Sequence, residues 1–214
     1  DIKATGSVTY VSDGKVTNTI TYTEGTNFKK DNYTITKHEG ELWIDPLTDE
    51  VLVEIKGNTK TETYNGNPYS VEGYTVTSIS NTLYKDTYFV PVNAKEAKGT
   101  DADTYPMGWE AADFKNTNSN FSNVKFVVND GQLVINPRPV TLTSEGGSKV
   151  YDGTALTKPN VTGGDGFVAG EVTDIKATGS VTYVSDGKVT NTITYTEGKN
   201  FKKDNYTITK HEGE

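Results

Sequence analysis

The chain has 214 residues, with 21 Lys+Arg against 29 Asp+Glu for a net charge of −8, and it lacks cysteine. The charge is spread without blocks, which argues against nucleic acid, whose affinity rests on cationic contacts with phosphate; it also offers no polybasic patch for anionic lipid. No apolar run nears the ~18 residues a membrane helix requires, so no membrane insertion is expected.

Taken in chain order, residues 1–46 end on Gly40-Glu41-Leu42-Trp43-Ile44-Asp45-Pro46, an alternating strand stopped by proline, which cannot donate the next ladder bond. Residues 47–137 carry Tyr64-Asn65-Gly66, an aromatic followed by turn formers. They also hold the one predicted helix, a short one over 108–114, and close on Gly131-Gln132-Leu133-Val134-Ile135-Asn136-Pro137. Residues 138–214 open with Tyr151-Asp152-Gly153. They then alternate through Ser180–Val184, Val189–Tyr195 and Tyr206–Thr209, the period-two pattern of strands with one inward face. Ser185-Asp186-Gly187-Lys188 between the first two runs reads as a hairpin turn. The abundance of Thr, Val and Tyr favours the same β assignment, so the chain is expected to be all-β.

The strongest signal is internal. Residues 1–41 recur at 174–214 with Lys199 for Thr26 as the one change, an offset of 173 residues. That exceeds the roughly 20–50 residues of a solenoid repeat and indicates an array of whole domains. Within it lies a fainter repeat: the two Gly-x-Leu-x-Ile-x-Pro endings match, Tyr64-Asn65-Gly66 echoes Tyr151-Asp152-Gly153, and Asn120-Phe121 echoes Asn205-Tyr206. The expected domains are therefore residues 1–46, the C-terminal half of a B-type repeat; 47–137, an A-type β module; and 138–214, a B-type module lacking its last strand. The prolines at 46 and 137 serve as stiff joints, since proline fixes φ near −65°, and favour a rod-like array.

Lys149-Val150-Tyr151-Asp152-Gly153-Thr154-Ala155-Leu156-Thr157, with Asn205-Tyr206-Thr207-Ile208 and the Gly40–Pro46 ending, resembles the YDG and MBG-type repeats of large bacterial surface proteins. Residues 98–106 resemble the partner repeat that commonly alternates with them. The resemblance implies tandem immunoglobulin-like β-sandwich modules in a wall-attached, secreted, adhesin-like protein of Gram-positive gut Firmicutes, and it carries no catalytic residue across. The alternative architecture is a β-grasp-like module with one short helix.

Candidate chemistry is sparse. His38 and His211 are one repeat position seen twice, and without cysteine or an independent histidine no catalytic or zinc set converges on them; no enzyme is expected. The acidic turns at Asp101, Asp103, Asp130 and Asp165 offer oxygen ligands for calcium but lack EF-hand spacing; Asp is also a turn former in its own right. No other cofactor is expected. An intramolecular isopeptide bond, as in Gram-positive wall proteins, requires a lysine beside an asparagine and a carboxyl to shuttle protons; Lys149, Asn205 and Asp204 are the best set. Trp43, Tyr88 and Trp109 are candidate sugar or protein contacts, with core packing the competing role. The sequons fall at Asn32, Asn120, Asn160 and Asn205.

The leading functional expectation is a stalk or spacer that projects a distal functional domain from the cell wall. The alternative is an adhesin that recognises host mucin glycan, matrix protein or immunoglobulin, with avidity from repetition. The expected partners are neighbouring repeats, or head-to-tail copies in which Leu42, Trp43 and Ile44 of one chain complete the B module of the next and propagate a fibre.

Overall fold

The computed structural model describes residues 1–214. The chain is predominantly β, in small two- and three-stranded sheets linked by short 3-10 turns, with no α-helix. The helix expected over 108–114 reduces to a single 3-10 turn, Ala111–Asp113. There the Asp113 carboxylate accepts the Glu110 backbone N–H at 2.7 Å, and Phe114 leaves at once into a strand. The alternative module with a true short helix is not what forms.

Two compact units are present, and they do not follow the sequence borders. The first comprises Asp1–Lys56, Thr75–Ala94 and Trp109–Asn129; the second comprises Gly57–Tyr74, Lys95–Gly108 and Asp130–Glu214. The A-type segment 47–137 is thus shared between both, and Pro46 and Pro137 each lie inside a unit.

In the first unit, Val51–Gly57 is the central strand of a three-stranded sheet, flanked by Tyr74–Ile79 and, in parallel, by Val124–Asn129. Alternation dictates which face is inward: Val51, Val53 and Ile55 are buried, as are Phe89, Trp109 and Phe114. Removing each aliphatic chain from water contributes roughly 1.5–3 kcal/mol, so this row outweighs the surface ion pairs. The 1–46 segment adds two antiparallel pairs, Ile2–Ala4 with Ile20–Tyr22 and Val16–Asn18 with Gly40–Leu42.

In the second unit, Gln132–Asn136 lies between Asp103–Pro106 and, in parallel, Thr59–Thr63. Arg138–Ser144 lies between Val161–Thr162 and, again in parallel, Tyr206–His211. Leu133, Ile135, Val140, Leu142, Phe167 and Ile193 form its apolar interior. Early and late strands of a module therefore pair in parallel, which alternation cannot reveal.

The predicted hairpin around Ser185–Lys188 is not a hairpin. Ser180–Val181 pairs with Leu156–Thr157, and Ile193–Glu197 pairs with Val172–Ala177. Between them the Asp186 carboxylate accepts the Thr182 and Tyr183 N–H groups, and Gly187 turns the chain at φ 67°. The Asp-Gly pair makes a turn as expected, but one that leads the two runs to different partners.

Candidate functional site

The most constructed polar site lies in the second unit, where side chains from the A-type segment meet those of the B-type segment. Tyr64 follows the strand Thr59–Thr63 and is fixed by its N–H to the Asn136 carbonyl at 2.9 Å. Gly66, two residues on, adopts φ 81°, and a Cβ there would sit 3.0 Å from a Val168 methyl, so this turn admits only glycine comfortably. From the B side, Tyr206 opens the strand Tyr206–His211, and Glu171 closes a turn through its N–H to the Val168 carbonyl at 3.1 Å.

These elements bring three buried side chains together: Tyr64, Glu171 and Tyr206 are 3%, 6% and 7% exposed. The Tyr64 hydroxyl donates to Glu171 Oε1 at 2.5 Å and the Tyr206 hydroxyl donates to Oε2 at 2.7 Å. The Val168 N–H donates in turn to the Tyr206 oxygen at 3.0 Å, and the two rings meet edge to face at 5.5 Å. Beside them, buried Asn205 accepts the Ala102 N–H at 2.6 Å and donates to Asp101 at 2.9 Å, while Lys202 reaches the other Asp101 oxygen at 2.5 Å. Each buried polar atom has a partner, which a dry interface requires. The arrangement clamps two segments, and both oxygens of the buried Glu171 carboxylate are taken up by tyrosine hydroxyls.

Burial, reinforced by the bond to Glu171, holds the Tyr206 hydroxyl up at about 12, and burial raises that of Tyr64 further. The neutral phenols make the clamp. Their contribution is therefore complete below the ordinary tyrosine value of 10.0 and is lost as pH rises through the folded value. The urea midpoint should fall between pH 10 and about 12, and Tyr64→Phe should show a smaller fall. Asn205 and Lys202 lower the Asp101 carboxyl, so its contribution is present above the ordinary aspartate range and disappears in acid below it.

The residues singled out from sequence scatter. Lys149 donates to Asp152 and Thr154 at 2.8 and 2.7 Å, whereas Asn205 is engaged with Asp101 and Ala102. No hydrogen bond joins Lys149 to Asn205, and Asp204, exposed in a 3-10 turn, does not bring them together. Leu42 pairs with Val16 of its own segment, Trp43 and Ile44 are exposed, and the Lys15 ammonium lies 5.2 Å from the Trp43 ring. Trp109 is core, Tyr88 is half-buried, and both histidines are exposed. Asp101 is committed to the clamp, and Asp130 accepts the Gly108 N–H; no group of three His, Cys, Asp or Glu residues is placed to hold a metal ion. Two sequon asparagines are structural, Asn205 in the clamp and Asn120 accepting the Val11 N–H at 2.8 Å.

Sequence reasoning missed Glu171. Nothing in Gly170-Glu171-Val172 marks it; the only available signal was that Tyr64 and Tyr206 both fall within repeated motifs and both need a partner once buried. Comparison with known proteins finds no counterpart: no family model, no curated protein and no solved structure matches the chain.

Proposed function

We propose that the chain is a structural repeat, a stalk or spacer of a cell-surface, adhesin-like protein, extracellular and attached to a Gram-positive wall, holding a distal domain away from the cell. We read its modules as immunoglobulin-like β-sandwiches joined in series. The observation that carries the reading is the clamp. The most buried polar cluster serves to fasten the A-type segment to the B-type segment, and a spacer needs rigid joints more than it needs a reactive site.

Support also comes from the two copies of the 41-residue repeat, which keep the same local bonds. Lys37 donates to the Ile20 carbonyl as Lys210 does to that of Ile193, each at 2.7 Å. Glu39 and Glu212 accept the N–H of those same isoleucines at 2.8 and 2.7 Å. A unit that keeps these local bonds in different surroundings is suited to being multiplied. The test is small-angle X-ray scattering on chains carrying one, two and three copies of the 173-residue period. The maximum dimension should grow by a constant step per copy; a compact globule whose dimension barely grows would end the spacer reading.

The exposed indole of Trp43 favours one rival, a glycan- or protein-binding adhesin. Binding of the chain on a glycan array, abolished by Trp43→Ala, would select it.

A further inference from the structure

The chain contains one loop twice, in two environments. Thr9–Asp13 and Thr182–Asp186 are identical in sequence. They are also alike in conformation: Asp13 accepts the Thr9 and Tyr10 N–H groups as Asp186 accepts those of Thr182 and Tyr183, and the following glycines have φ 66° and 67°. In the first copy Val11 is half-buried and its N–H donates to Asn120 Oδ1 of the A-type segment at 2.8 Å. In the second copy Val184 is 87% exposed and its N–H has no partner.

The clamp described above uses the same device. There Asn205, the repeat counterpart of Asn120, accepts the Ala102 N–H. A second asymmetry coincides with the first. Tyr64 is buried in the clamp, but its counterpart Tyr151 is 59% exposed, its ring 6.4 Å from that of Tyr183. Val150, Tyr151, Tyr183 and Val184 thus leave bare on the B-type segment an apolar face, and two of its members, Tyr151 and Val184, have counterparts that are engaged, Tyr64 in the clamp and Val11 on Asn120.

We propose that this face docks the Asn120 edge of a further A-type module, a second copy of residues 47–137, with the Val184 N–H donating to that asparagine. Internal equivalence also identifies what Tyr151 meets. Tyr88 occupies the place of Glu171, since its N–H bonds the Lys85 carbonyl and its own carbonyl accepts the Thr117 N–H, as Glu171 does with Val168 and Gly198. Phe121 occupies the place of Tyr206, and Tyr84, Tyr88 and Phe121 already form a ring cluster with centroids 5.0 to 6.2 Å apart. The B-to-A contact is therefore aromatic, without the buried carboxylate of the A-to-B clamp. An exposed patch of this kind on a folded surface marks an interaction site, and the Asn–amide bond sets its register. The contact holds whether the array is a spacer or binds a ligand.

The test is amide hydrogen exchange by NMR on the 214-residue chain and on the same chain lengthened by a second copy of residues 42–137. In the lengthened chain Val184 exchange should slow by at least about tenfold. Alanine at the appended equivalent of Asn120 should reverse this. In the unlengthened chain, Asn120→Ala should speed exchange at Val11 and leave Val184 unchanged. Equal Val184 rates in the two chains, or Val11 indifferent to Asn120→Ala, overturns the proposal.

Discussion

Glu171→Leu lowers the unfolding free energy of the chain's second unit by about 3 kcal/mol, read from urea denaturation. Leucine matches the glutamate's bulk, so the loss reports the acceptor and not a cavity. Two phenol hydroxyls that donate at 2.5 and 2.7 Å are left buried, and a buried group stripped of its partner costs roughly 1–3 kcal/mol. Relief from desolvating the carboxylate offsets part of this, because a buried charge is itself expensive to hold. Tyr64→Phe removes one donor only and should cost about 1 kcal/mol. In the double variant the two losses should fall short of their sum by about 1 kcal/mol or more, the mark of residues that share one bond. Strictly additive losses would show that Tyr64 and Glu171 are not energetically joined, and the clamp would not fasten A to B.

The sequence reveals the repeat, the β class and a strand over Tyr206–Thr209, because each is written locally in identity, composition or alternation; the strand runs on to His211. Whether a strand forms is another matter. Tyr33–His38 has the same residues as Tyr206–His211, yet only the second is a strand, paired in parallel with Arg138–Ser144. Tyr33 is 61% exposed where Tyr206 is buried. The partner decides, as β-propensity measures packing against neighbours more than backbone preference. The same reason hid the true pairing around Ser185–Lys188, since alternation gives a strand's inward face and not its neighbour. The site was less legible still. Lys149 and Asn205 are suitable residue types, but Lys149 is held by Asp152 of its own turn and Asn205 by Asp101 of the distant A-type segment.

Asn18 and Asn191 turn this dependence on surroundings into a measurement. Both are the same repeat position, and both accept a glycine N–H through Oδ1, from Gly6 at 3.0 Å and from Gly179 at 2.9 Å. There the likeness ends. The Asn191 amide also donates to the Glu145 and Lys158 carbonyls at 2.9 and 2.8 Å, tying three segments around a buried side chain. Asn18 is half-buried, and water can replace what it supplies. Asn191→Ala should therefore cost about 3 kcal/mol, for one donor and two acceptors orphaned together. Asn18→Ala should cost about 1 kcal/mol or less, because a half-exposed glycine N–H is readily hydrated. Urea unfolding of the two single variants makes the comparison at constant local sequence. If their losses agree, the asparagine stabilises only its own turn. A gap of about 2 kcal/mol assigns the difference to the front strands of the B module, which the 1–46 segment does not possess.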